Sequence, residues 1–451
     1  MPSVRNDTFY SRLTQVGRDL GWPLVALMVM ALVFGGGGIR HGLTNLLVQL
    51  TALGVILFQP GLVRQFAAQS PRWLQALLLV TLLVPLIQLV PLPPGLWQAL
   101  PGREMALETR SMIGAESSWF PITLDRARTA IALFALLAPL AAILCLGGLT
   151  PAKARQLLVL IVALTFLQYL FGVIQFASGG ESLKFYETNE TGRFYGFFVG
   201  HIASGLFMVI GFCALVGCYA SKKRTTIDNL LYPAAAVLLC IGVILTGSRS
   251  AVVLLVLPGL WAAWLGWTEL RRYSPRLRYG VLGAAALSLI AVGAVMATNQ
   301  RLGDTWDRFS SFEDSRPDIW ADTEIAAERY WPVGSGMGTF DEVFQVEESL
   351  ETLTAKRAAR AHNDYLEIAL EAGIAGLVLV AAWFAVLLYA AYRGLRSSYA
   401  PFTIAASLAL LCIALQSLLY FPLRNMTVLC VAGSLVALLT APLTIKRDPG
   451  H

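Results

Sequence analysis

The feature that most constrains this chain is a series of apolar blocks of roughly 17–25 residues, the length a helix needs to cross about 30 Å of hydrocarbon. They lie near 21–37, 42–58, 73–92, 127–148, 157–177, 195–219, 230–246, 250–267, 279–298, 366–391, 401–421 and 426–444. No pattern of short alternating strands accompanies them, so a closed barrel is excluded. Helices are then the remaining way to satisfy a backbone in lipid. Composition agrees: 56% of the residues are hydrophobic and only 14% charged, against about 25% charged in a soluble domain. The chain reads as an all-α polytopic membrane protein with about twelve transmembrane helices.

Loop charges orient the blocks. With the N-terminus cytoplasmic, Arg64, Arg72, Lys153, Arg155, Lys222, Lys223, Arg224, Arg271, Arg272, Arg276, Arg278, Arg393, Arg396, Lys446 and Arg447 all fall on one side. The short turns opposite hold only Arg40, Arg249 and Arg424. Both termini are therefore expected in the cytoplasm. Three parts follow: helices 1–9 over 1–298, an outward loop over 299–365, and helices 10–12 with a cytoplasmic tail over 366–451. The polar N-terminus has no small-residue cleavage site after its first apolar block, which is read as a retained span. Cys145, Cys213, Cys218, Cys240, Cys412 and Cys430 all lie inside apolar blocks and read as small hydrophobes. A shorter outward segment, 93–126, opens with Pro93, Pro94 and Trp97 and carries Trp119, which suggests a position at the membrane interface.

The long loop is partly helical. Ser315 is a fitting N-cap, Pro317 suits a first turn, and apolar positions at Ile319, Trp320, Ala326, Ala327, Tyr330 and Trp331 predict a helix running to Trp331. A second helix is expected from Asp341 to about Arg360, with Val343, Val346, Leu350 and Leu353 on one side. Between them stands Pro332-Val333-Gly334-Ser335-Gly336-Met337-Gly338-Thr339-Phe340. No Lys-Ser/Thr follows these glycines and no parallel-sheet pattern surrounds them, so a tight backbone path is expected there and not a nucleotide site. The acids of the loop and the scattered His41, His201 and His451 show no metal-ligand spacing.

His362 is the residue with chemistry to offer. It precedes Asn363 and Asp364, both good N-caps for a helix beginning near Tyr365. The partial positive charge of a helix N-terminus favours neutral imidazole, which suits a general base. The bland alternative is an interfacial histidine bonded to a neighbouring loop. Arg193, Arg249, Arg316 and Arg424 all fall near the outward face. Guanidinium groups gathered there suit a phosphate or pyrophosphate, which they grip with paired hydrogen bonds. Arginines at span ends also snorkel to headgroups, a reading that fits Arg424 well and Arg249 poorly. Tyr186, Tyr195, Trp331 and Phe340 are placed to stack on sugars or to anchor at the interface.

These pieces together resemble the O-antigen ligase and polymerase superfamily. The likeness rests on the Ser248-Arg249-Ser250 turn, Arg316 with Trp320, and Pro332-x-Gly334-x-Gly336-x-Gly338-x-Phe340. After these come Ala361-His362-Asn363-Asp364-Tyr365-Leu366-Glu367 and Glu371-Ala372-Gly373. The resemblance implies a GT-C-like fold with a large periplasmic loop in the bacterial inner membrane. It implies a metal-independent inverting glycosyltransferase, without cofactor, that takes a glycan from undecaprenyl pyrophosphate. By that likeness His362 deprotonates an acceptor hydroxyl and Arg193, Arg249 and Arg316 hold the diphosphate. Asn363 and Tyr365, beside the histidine, are taken as further substrate-binding residues. One departure is the segment Gly196-Phe197-Phe198-Val199-Gly200-His201-Ile202-Ala203, which lacks the asparagine that family members often carry there.

The leading function is ligation of O-antigen to the lipid A core. Polymerisation of lipid-linked repeat units into O-antigen or exopolysaccharide is second, and protein O-glycosylation third. A polysaccharide or lipid transporter is the alternative of another class. It is disfavoured by the near absence of ionisable residues in mid-span and of internal symmetry. The partners expected are the lipid-linked donor, one of these acceptors and membrane lipids, with no nucleic acid.

Overall fold

A computed structural model of the chain describes residues 20–38, 41–179, 182–183, 185–186, 194–222, 225–276, 278–280, 283, 316–351 and 357–444. Apart from one two-stranded ribbon, the regular elements among these residues are helices. Among the described residues, seven helices are long and apolar enough to cross a membrane, or eight if the pair Gly42–Phe58 and Pro60–Gln69, bent by 76°, is one span. Three more apolar helices, Trp22–Gly37, Arg72–Gln88 and Ala400–Gln416, are shorter. Each expected block except 279–298 coincides with helix; that one falls largely outside the described residues.

The chain divides into two compact units. The first comprises Met1–Gln156, Ser315–Thr403 and Ile413–His451. Its centre is Met426–Thr444, an almost wholly buried helix packed on Leu137–Cys145, Asp364–Leu395 and Trp22–Phe34. Gly433 permits that packing, since a β-carbon there would stand 2.7 Å from the Pro139 backbone. The second unit comprises Leu157–Asp314 and Ile404–Cys412. It is built around His201–Ala220, against which Asp228–Leu245, Arg249–Leu254 and Val256–Leu270 pack.

Helix Asp364–Leu395 has 32 residues. It breaks at Gly373, whose φ of 55° and ψ of −143° are non-helical. The turns before the break pack against the helix Arg316–Tyr330 and form part of a folded cap.

That cap contains the expected helix Arg316–Tyr330. Its inward face carries Ala326 and Tyr330, packed with Phe340, Val343, Phe344, Ala361 and Leu370. Ser315, the anticipated cap residue, lies outside the described residues. The second helix is shorter than expected, running Phe340–Glu347 and giving way to extended backbone at Glu348. Asp322 takes the next backbone amide, Ser349 N, at 3.0 Å. Leu350, expected on the buried face, is 82% exposed, so no burial favours continuing the helix. Phe340, expected to face sugars, is fully buried against Phe344.

The segment after Arg72–Gln88 belongs to the same body. Pro91 and Leu92 pair with Pro121 and Phe120 as a short antiparallel ribbon. Trp97, expected at the interface, is completely buried, edge-on to Phe120, and donates from Nε1 to Ser118 O. Trp119 is exposed.

Candidate functional site

The glycine turn and the broken helix are spliced together. Breaking a helix at Gly373 frees backbone groups that must find partners. Ser335 N donates to Leu370 O at 3.0 Å, Gly336 N to Glu371 O at 2.9 Å, and Ile374 N to Pro332 O at 3.0 Å. Gln88 completes the splice, giving Nε2 to Glu371 O and accepting Met337 N on Oε1, both at 2.9 Å. The turn's amides are directed at protein oxygens, as a tight backbone path requires. Below it Arg103, 1% exposed, donates to Gly334 O and Ile122 O. Burial lowers its guanidinium to about 10, partly offset by the nearby Tyr330 and Glu104.

Gly336 tests this splice. Its φ is 117°, and a β-carbon would stand 2.1 Å from Thr123 Oγ1, which is buried in a bond to Thr129 Oγ1. Gly336→Ala should therefore cost at least about 2 kcal/mol from strain and overlap together. A thermal melt of the purified variant checks it; an unchanged midpoint would show that the turn adapts.

His362 stands in the left-handed region at φ 54°, uncommon for a residue other than glycine. Both of its flanks are fixed. Arg360 Nη1 donates to Glu367 Oε1 at 2.6 Å, and Trp320 Nε1 to Ala361 O at 2.9 Å. Asn363 caps the helix, its Oδ1 accepting Tyr365 N at 3.0 Å and Leu366 N at 3.3 Å. Asp364 N donates to Ser417 O at 2.9 Å, and Ser417 Oγ returns a bond to Asp364 Oδ2 at 3.0 Å. Tyr365 Oη donates to Ala414 O at 2.9 Å. The imidazole meets Phe421 edge-on at 5.1 Å and Tyr420 at 6.1 Å.

Beneath the histidine lies a buried ion cluster. Asp364, Glu367 and Glu371 share one helix face, and their side chains are at most 4% exposed. Arg424 Nη2 reaches Glu371 Oε2 at 2.6 Å and Glu367 Oε1 at 3.7 Å, while Nε lies 3.8 Å from Asp364 Oδ1. Arg360 serves Glu367 and, at 3.9 Å, Glu371. Arg424 is thus no snorkelling arginine, because three carboxylates draw it inward. Burial alone would lower its pKa, but those carboxylates raise it above the ordinary value. Tyr420 is pushed up to about 12 by burial and by the charge of Asp364, against the opposing pull of Arg316. Its phenol remains a neutral hydroxyl.

The expected site residues fall into three groups. His362 and Arg316 both bear on Tyr420. Asn363 and Tyr365 adjoin them, with the Asn363 oxygen on the cap and the Tyr365 hydroxyl on Ala414 O. Arg249 belongs to the other unit, where it begins Arg249–Leu254 behind the N-cap Ser248. Arg193 lies outside the described residues. His201 begins His201–Ala220, 6.4 Å from the Tyr195 ring. Sequence reasoning missed Tyr420, Phe421, Arg360 and the role of Arg424. One signal was available: Glu367 and Glu371, four apart on an otherwise apolar helix, repel each other unless cations reach them.

Residues 234–381 match the family model Wzy_C, described as O-antigen ligase. No curated protein matches the chain. The matched stretch includes Arg249, Arg316, the glycine turn, His362 and the break at Gly373, whereas Tyr420, Phe421 and Arg424 lie beyond it. The match to residues 234–381 supports the chain's resemblance to the O-antigen ligase and polymerase superfamily.

Proposed function

We propose that this protein is a metal-independent inverting glycosyltransferase of the bacterial inner membrane, with both termini cytoplasmic and its cap in the periplasm. It moves a glycan from undecaprenyl pyrophosphate to an acceptor hydroxyl, the leading acceptor being lipid A core. The observation that carries this reading is the fixed setting of His362: a strained histidine, anchored on both flanks, with Arg316 bearing on the tyrosine beside it. Strain of this kind gathers at active sites.

In the reaction the acceptor oxygen forms a bond to the anomeric carbon while its proton passes to the imidazole of His362. The bond from that carbon to the pyrophosphate oxygen breaks, and the electron pair leaves on the pyrophosphate. Attack opposite the leaving group inverts the centre. Arg316 stabilises the charge that develops, the part a divalent cation plays elsewhere. Arg193, Arg249 and Arg316 are all diphosphate candidates from the sequence, and Arg316 is the one whose charge acts on Tyr420.

The test uses the purified full chain, a sugar-labelled lipid-pyrophosphate donor and EDTA. Lipid A core, a second lipid-linked glycan and an acceptor protein are offered side by side. Label is expected on lipid A core; label on the second glycan makes the protein a polymerase, and label on none overturns the transferase reading. Arg316→Ala should raise the donor KM about tenfold or more, the loss of one charged hydrogen-bonding partner. An unchanged donor KM removes Arg316 from the site.

A further inference from the structure

We propose that the stacked pair Tyr420–Phe421 is the acceptor platform of this site, a surface on which a pyranose ring rests with its hydroxyl presented to His362. The proposal rests on the transferase reading and adds the residue that determines acceptor binding. The two rings are parallel within 21° and 4.2 Å apart, and both are half-buried, so each keeps an open surface. The C–H face of a sugar is apolar and suits such rings, while its hydroxyls project sideways.

The pair also has a direction. Phe421 is the member nearer the imidazole, at 5.1 Å against 6.1 Å for Tyr420. An attacking hydroxyl belongs with the base. A ring lying over Phe421 therefore occupies the acceptor side.

The platform is built in advance. Ser417, before it, is bonded to Asp364. Arg424, after it, is held by three carboxylates. Asn425 Oδ1 accepts Thr427 N at 3.1 Å and Val428 N at 3.2 Å, which fixes the start of the last helix. A surface ordered before binding loses less entropy when the sugar arrives.

The same rings could serve only to buttress His362, and the two roles separate kinetically. Phe421→Leu keeps an apolar side chain and removes the flat face; Phe421→Trp restores it. With the full chain in nanodiscs, Phe421→Leu should raise the acceptor KM about tenfold, leave the donor KM unchanged, and be rescued by Phe421→Trp. A fall in kcat at constant acceptor KM assigns the pair to buttressing and overturns the platform.

Binding gives a readout that needs no turnover. In a His362→Ala background, lipid A core oligosaccharide and a lipid-linked repeat unit are each titrated, with and without Phe421→Leu. One of them should bind and weaken about tenfold with the leucine. Equal affinity in both backgrounds, or no binding of either probe, overturns the proposal. Full transfer by His362→Ala would instead defeat the base assignment, a different failure from an unmoved acceptor KM.

Discussion

In His362→Ala, transfer should fall about 10²- to 10⁴-fold, the range for loss of a positioned general base, while the protein still folds. The imidazole's ring contacts are with Phe421 and Tyr420 at the edge of the cap, so its truncation leaves the buried ion cluster untouched. Alanine at φ 54° is somewhat worse tolerated than histidine, and a small drop in melting temperature is expected for that reason alone. His362→Gly separates the two effects. Glycine adopts this backbone without strain, so the variant should match the stability of the native chain and be as inactive as His362→Ala. Activity measured with a labelled lipid-pyrophosphate donor, beside a thermal melt, decides the matter. Native-level transfer in the glycine variant would remove His362 from the chemistry.

What could be read in the sequence was whatever depends on near neighbours. The apolar blocks gave the helices because a backbone in hydrocarbon has few alternatives. Arg316–Tyr330 was visible in the spacing of Ala326 and Tyr330, and the capping role of Asn363 in its place before the helix. The second cap helix was overextended because its end is decided by Asp322, from another helix, taking the amide of Ser349. The structural role of the glycines was legible, but not their partners, since Gln88 and Thr123 come from far earlier in the chain. Arg424 was misread for the same reason. A basic residue at a span end looks alike whether it snorkels or turns inward, and its carboxylates lie up to sixty residues back. His362 stood out by its place before the helix cap, whereas the aromatic pair beside it lies outside every local pattern read from the sequence.

Arg424→Ala should be the most damaging single change to the fold, costing about 3–5 kcal/mol, as expected when one member of a buried charge group is removed. Its guanidinium joins Glu371, Glu367 and Asp364, and its side chain is only 15% exposed. Without it Arg360 is left to serve both Glu367 and Glu371, and Arg360 is already engaged with Glu367 at 2.6 Å. Arg424→Lys keeps the charge but replaces the planar fork with a single ammonium, so it should recover only part of the loss. The double variant Arg424→Met/Glu371→Gln distinguishes charge from packing. Glutamine retains an oxygen for Phe340 N, which Glu371 Oε1 now accepts at 3.3 Å, and removes one buried negative charge. It should melt above Arg424→Ala and below the native chain. If all four proteins melt together, the cluster contributes nothing to stability. If the double variant is the least stable, the arginine holds the turn by shape alone. The ordering predicted here requires that its charge hold down the broken helix on which His362 stands.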